Sequence, residues 1–178
     1  MRTIALEEHF VSPGFVAGPG KDLLAQIRSR GTRGAEIFAR LQEIGGERIA
    51  AMDAAGIDVQ VLSLNSPGVE QASPADQIAL AAEANDFVAD AMARHPDRFS
   101  ALAALPTATP DEAAAELERR VGKQRFAGAL INGHTRGRYL DDPFYWPILE
   151  CAVSVEVPIY LHPTVPPKAV VDASYGGF

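Results

Sequence analysis

Two short stretches of the sequence carry side chains suited to holding a metal ion: Glu-Glu-His at positions 7–9 and Leu-His-Pro at 161–163. Side chains on a strand alternate faces, so Glu7 and His9 point the same way while Glu8 points the opposite way. A carboxylate and an imidazole at that spacing can chelate one ion. In the second stretch, Pro-Ile-Tyr-Leu-His-Pro, the same alternation puts Tyr160 and His162 on one face and Ile159 and Leu161 on the other. Imidazole and carboxylate together suit zinc or a similar divalent ion such as manganese. Three protein ligands leave positions open for water or substrate, the pattern of a catalytic rather than a structural metal. A lone histidine at a strand end more often packs and hydrogen bonds in place, so the metal reading rests on the two stretches meeting at one rim.

The remaining candidates are weaker. His95 stands before Pro96 at the end of a helical pattern and His134 lies in a loop, and both read as structural. Asn65 and Asn132 follow the apolar runs Val-Leu-Ser-Leu and Gly-Ala-Leu-Ile. An asparagine there either hydrogen bonds a ligand's oxygen or holds its own loop. Arg28, Arg30 and Arg33 could draw an anionic substrate or simply form a solvated face. Phe144, Tyr145 and Trp146 together read as packing residues.

These residues need elements to position them. Strand-like runs occur at Thr3–Glu7, Asp58–Leu64, Phe99–Leu105, Ala127–Ile131 and Pro158–Leu161. Helical patterns lie between them, near Ala35–Ala55, Pro74–His95, Asp111–Lys123 and Pro143–Glu156, with Gly56 as the stop after the first. Ser73-Pro74 and Thr109-Pro110 each place a hydroxyl cap before a proline at the first helical position. Residues 11–34, rich in Gly, Pro and basic side chains, read as an ordered lid or a surface loop. Strands alternating with helices require parallel crossovers, which leaves an open doubly wound sheet or a (β/α)8 barrel. The first strand leads into Glu-His-Phe and not into a Gly-rich turn, so the dinucleotide-binding fingerprint is absent. In a barrel the C-terminal strand ends share one mouth, where Glu7 and His162 become neighbours.

Composition narrows the partners. The 178 residues include 47% hydrophobic and 22% charged side chains, enough for one globular domain with a core. With 23 acidic against 16 basic residues and a net charge of −7, no nucleic acid and no anionic membrane surface is expected as a partner. The apolar start before Glu7 is too short for a signal-peptide core, and no transmembrane run appears. A single cysteine, Cys151, cannot form an internal disulfide and fits a reducing cytoplasm.

The motifs ALEEHF at 5–10, LSLNSPG at 62–68, HPDRF at 95–99, ALPT at 104–107, GALINGHTRGRYLDDP at 128–143 and VPIYLHP at 157–163 closely resemble the amidohydrolase-related metal-dependent decarboxylases, the group that includes γ-resorcylate decarboxylase. The resemblance spans essentially the whole chain. It implies a (β/α)8 barrel holding one divalent metal, zinc or manganese, and non-oxidative removal of CO2 from a small hydroxylated aromatic carboxylic acid. By the match of motifs Glu7, His9 and His162 take the metal-ligand positions. Phe15 matches the aromatic residue set beside the substrate ring, and Asn65 and Asn132 stand as further substrate-binding candidates. Homo-oligomers are expected of full-length relatives.

A complete barrel takes about 250 residues, and only five βα units are legible here. The expectation is therefore an α/β chain, a partial TIM barrel forming the N-terminal portion in one domain over residues 1–178 and inactive alone. The late Asp and His that the family uses for metal binding and proton transfer have no counterpart after His162. Two other readings stand beside this one. The first is a hydrolase of the same superfamily acting on an amide or lactone, and the second a non-enzymatic remnant that pairs its open edges with another chain.

Overall fold

The computed structural model describes residues 1–29 and 31–176. Five parallel strands lie side by side in the order β1 (Ile4–Phe10), β2 (Val59–Leu64), β3 (Phe99–Ala104), β4 (Gly128–Asn132) and β7 (Ile159–His162). They form a curled half-barrel, as the five βα units predict. A two-residue hairpin, β5 (His134–Thr135) with β6 (Arg138–Tyr139), follows β4 and was not legible beforehand. Both functional strands run further than expected: β1 continues to Phe10 and β7 to His162, so His9 and His162 are strand residues.

Two side-chain layers flank the sheet. On its concave face Val61, Leu102 and Leu130 pack together, with Tyr160 against them. On the convex face Leu62, Ala101, Ala103, Ala129 and Ile131 enter the main core against α5 (Pro74–Arg94), α6 (Pro110–Gln124) and α7 (Trp146–Ser154). Ala81, Ala84, Val88 and Ala91 recur at helical spacing on the buried stripe of α5, and small residues there and on β3 allow close approach. Asn85 of α5 completes the ladder beyond the end of β3. Its Nδ2 donates to the Ala104 carbonyl and its Oδ1 accepts from the Ala104 amide, both at 2.9 Å. Arg120, fully buried on α6, donates to Glu116 and to the Ala82 carbonyl and so ties α6 to α5.

The predicted helix caps hold in part. Ser73 accepts from the Asp76 amide, whereas the Thr109 hydroxyl turns back to the Pro106 carbonyl. Gly56 adopts the left-handed conformation that ends its helix. Three expectations are corrected. The single helix at 35–55 is two, α3 (Thr32–Gln42) and α4 (Gly46–Ala55), because Glu43 is extended and its carboxylate accepts from the Arg48 amide to start α4. Residues 11–34 carry α1 (Pro13–Ala17) and α2 (Lys21–Arg28), with Phe15 and Leu24 in the core. Of the three aromatics at 144–146 only Tyr145 packs inside, while Trp146 is exposed. A further helix, α8 (Lys168–Tyr175), follows β7. Among the described residues no helix is long and apolar enough to cross a membrane.

Candidate functional site

The first strand reaches the mouth through a bulge. Ala5 pairs with Gln60 and Glu8 with Leu62, three steps on β1 against two on β2. Glu7 absorbs the extra residue with φ 59°, the left-handed region, at a cost of about 1–2 kcal/mol for a residue other than glycine. The bulge shifts the strand's phase. Phe10 enters the convex core, and His9 stands on the concave side opposite Ser63. Glu7 reaches the same side, and its Oε1 accepts from the Tyr160 phenol at 2.7 Å, a hydrogen bond from the first strand of the arc to the last. The bond to Glu7 raises the phenol's pKa, because the carboxylate favours the protonated donor.

The two mouth histidines meet. The rings of His9 and His162 are edge to face with centroids 5.0 Å apart. The Nδ1 of His9 lies 3.0 Å from the Ser63 hydroxyl, and its Nε2 has no hydrogen bond among the described residues. Burial, then the neighbouring His162, pushes the His9 pKa down, favouring the neutral ring that metal ligation requires. Nδ1 of His162 is buried without a partner among the described residues. The three predicted ligands thus occupy one end of the arc, although among the described residues no three His, Cys, Asp or Glu side chains are gathered tightly enough to hold an ion as they stand. Of the three, Glu7 is the one whose carboxylate is already engaged, by Tyr160.

Beside His162 an open cleft of about 800 Å³ is lined by Gln26, Asn65, Gln71, His134 and Thr164. Asn65 holds its own turn, donating to the Ser66 carbonyl at 2.7 Å, and still lines the cleft. His134 is a bracing residue, as read: Nδ1 accepts from the Gly137 amide at 2.9 Å and Nε2 meets the Val165 carbonyl at 3.1 Å. Phe15 is corrected. It is 1% exposed in the main core, lies against Gly20 and lines no part of this cleft. Arg28 sits over the Phe38 ring at 4.6 Å, and Arg30 lies outside the described residues.

Asn132 is buried at the concave end of β4 and has an unexpected partner. Glu70, 2% exposed, accepts at Oε1 from the Asn132 backbone N–H at 2.7 Å and from its Nδ2 at 3.2 Å. Burial raises the Glu70 pKa to about 7 against the lowering effect of those hydrogen bonds. Ser63, Tyr160 and Glu70 are the polar residues that inspection of motifs does not assign. Ser63 is detectable as a polar side chain in an apolar alternation, and Tyr160 shares the face of His162, but no local pattern marks Glu70.

The sequence profile described as amidohydrolase matches residues 9–175. The chain belongs to the amidohydrolase family. A γ-resorcylate decarboxylase of Polaromonas sp. (strain JS666) is 40% identical over 177 residues, covering 92% of this chain and 50% of its relative. The enzyme of that name from Rhizobium radiobacter is 41% identical with the same coverage. Among solved structures, 5-carboxyvanillate decarboxylase of Novosphingobium aromaticivorans, with manganese and 3-methoxy-4-hydroxy-5-nitrobenzoic acid bound, superposes with a TM-score of 0.86 at 36% identity, over 97% of this chain and 53% of that one. A dihydroxybenzoic acid decarboxylase of Polaromonas sp. JS666, with manganese and 2-nitroresorcinol, gives a TM-score of 0.85 at 35% identity, over 99% and 54%. The chain spans about half the length of the curated relatives it matches.

Proposed function

We propose that this amidohydrolase-family chain carries the metal-binding half of a non-oxidative decarboxylase acting on a small hydroxylated aromatic carboxylic acid. The observation that carries the reading is the convergence of Glu7, His9 and His162 at one end of the arc. It is supported by the relatives' names and by the manganese bound in two superposed decarboxylases.

The donor chemistry fits a divalent ion. Glu7 offers a carboxylate, His9 a neutral ring with its Nδ1 already engaged, and His162 a second ring on the cleft wall. A bound ion, manganese or zinc, would supply positive charge for the substrate's carboxylate and adjacent phenolic oxygen. The residues of this chain then bind and orient. Asn65 and Gln71 face the cleft with amides that can take a ring hydroxyl, and the apolar floor of Val61, Leu102 and Leu130 underlies the mouth. In the reaction a proton adds to the ring carbon bearing the carboxylate, and the bond to CO2 breaks with its electron pair returning to the ring. The proton donor belongs, on this reading, to the portion of the full-length relatives that this chain does not span, so turnover by the chain alone is low.

Manganese titration by calorimetry tests the proposal. Wild type is expected to bind near one equivalent, and His9→Ala and His162→Ala to weaken binding by roughly tenfold or more. Unchanged affinity in both variants would sink it. Release of CO2 from 2,6-dihydroxybenzoate, against ring opening of a lactone, separates decarboxylase from hydrolase once the missing half is supplied in trans.

A further inference from the structure

Each histidine at the mouth stands directly across the ladder from a polar residue on the neighbouring strand. His9 is the register partner of Ser63, and His162 that of Asn132. The first pair is hydrogen bonded through Nδ1. The second holds the two buried side-chain polar atoms that, among the described residues, lack a partner, Asn132 Oδ1 and His162 Nδ1. One needs a donor and the other can be one.

The backbone shows how Asn132 is turned. Ala129 and Gly133 donate toward β7, to the carbonyls of Pro158 and His162. Successive N–H groups of a strand point to opposite neighbours, so the Asn132 N–H points toward the β3 side. There Glu70 accepts it, and the same carboxylate takes the Asn132 Nδ2. With the NH2 end held on the β3 side, the amide oxygen faces the β7 side, where His162 stands. Gly68 makes room for this arrangement, since a side chain at that position would collide with both the Glu70 carboxylate and the Asn132 amide.

The geometry points to Glu70 as a positioning residue that orients the Asn132 amide, whose oxygen fixes His162 as the Nδ1–H tautomer and leaves Nε2 as the ligating atom. The two atoms are not hydrogen bonded to each other as they stand, and a turn of the Asn132 side chain or one bridging water joins them. Metal-ligating histidines are generally held this way through their second nitrogen. As regards Nε2 the inference rests on the proposed metal reading; as regards the tautomer it stands on the hydrogen-bonding geometry alone.

The test is made on metal-free protein labelled with 15N-histidine at pH 8, where two-bond proton–nitrogen correlations report the tautomer of each ring. His162 is assigned by the signals lost in His162→Ala. Wild-type His162 is expected as Nδ1–H. In Asn132→Ala, and in Glu70→Gln whose NH2 group claims the Asn132 oxygen, it should move to Nε2–H or a mixture, with His9 unchanged. Ser63→Ala should do the reverse, moving His9 and leaving His162. A wild-type His162 already Nε2–H, or an Nδ1–H form that survives both variants, would overturn the inference. Glu70→Gln keeps the buried shape, so the test stands if Asn132→Ala fails to fold. Manganese affinity measured in parallel should fall about tenfold in Asn132→Ala. If the tautomers behave as stated but His162→Ala binds manganese normally, the metal reading fails and the positioning role remains.

Discussion

The middle of the sheet and its two margins are built to different ends. Strands β2 and β4 are buried along their whole length, and β3 is buried except at Ser100. On the outer strands Ile4 is 54%, Leu6 59% and Leu161 63% exposed. Yet all three candidate metal ligands sit on those outer strands. The centre supplies cohesion and the register partners Ser63 and Asn132, while the margins carry the candidate ligands. A site assembled from margins needs anchors of its own. Arg48 provides one, donating to the His9 carbonyl at 3.0 Å and to the Arg40 carbonyl at 2.9 Å. The Glu7–Tyr160 bond provides another.

Five substitutions would break or sharpen this contrast. The largest effect is expected at the centre. Leu62→Ala, fully buried, should cost about 2–5 kcal/mol in urea unfolding, whereas Leu161→Ala should stay within about 0.5 kcal/mol. Equal losses would mean the margins are as firmly packed as the middle. Glu70→Gln comes next and depends on pH. The carboxyl is at 4.5 in the unfolded chain and about 7 in the folded one. Between those values the folded state binds the extra proton, so wild-type stability falls as pH rises. Relative to Glu70→Gln, wild type should lose about 3 kcal/mol from pH 4 to pH 8, and a flat difference would show that the buried carboxyl titrates normally.

Asn85→Ala should cost about 1–3 kcal/mol, because it leaves both polar groups of Ala104 without their partner. Its thermal midpoint should drop with manganese binding intact, and weakened binding would tie the middle of the sheet to the site. The smallest effect belongs to the margin. Tyr160→Phe should leave the unfolding midpoint where it is while raising manganese affinity a few-fold, since it frees Glu7. Weaker binding would show that the phenol positions the carboxylate.

The fold was legible to the degree that local chemistry wrote it. Five apolar runs, the Ser73 cap and the left-handed Gly56 mark their elements in single stretches of sequence. The break at Glu43 was hidden because an uninterrupted apolar stripe runs across it, and only the Arg48 contacts show why the chain turns there. The same division holds at the site. Glu7, His9 and His162 were visible because strand alternation and motif both mark them. The burial of Phe15 was not legible because it depends on what folds over the residue, here Gly20. Glu70 escaped notice because its partner lies 62 positions away, across a crossover whose path no local pattern gives.

The bulge in β1 also sets which kinds of genetic change this strand can survive. Substitutions near Leu6 are buffered, since that side chain is largely exposed. Length is buffered too. Deleting Leu6 would straighten the ladder and set Glu7 opposite Val61, while His9 stayed opposite Ser63 and Phe10 opposite Leu64. A descendant of this sequence can therefore shed the extra residue and keep its mouth, losing the bend and added twist that the bulge gives the strand.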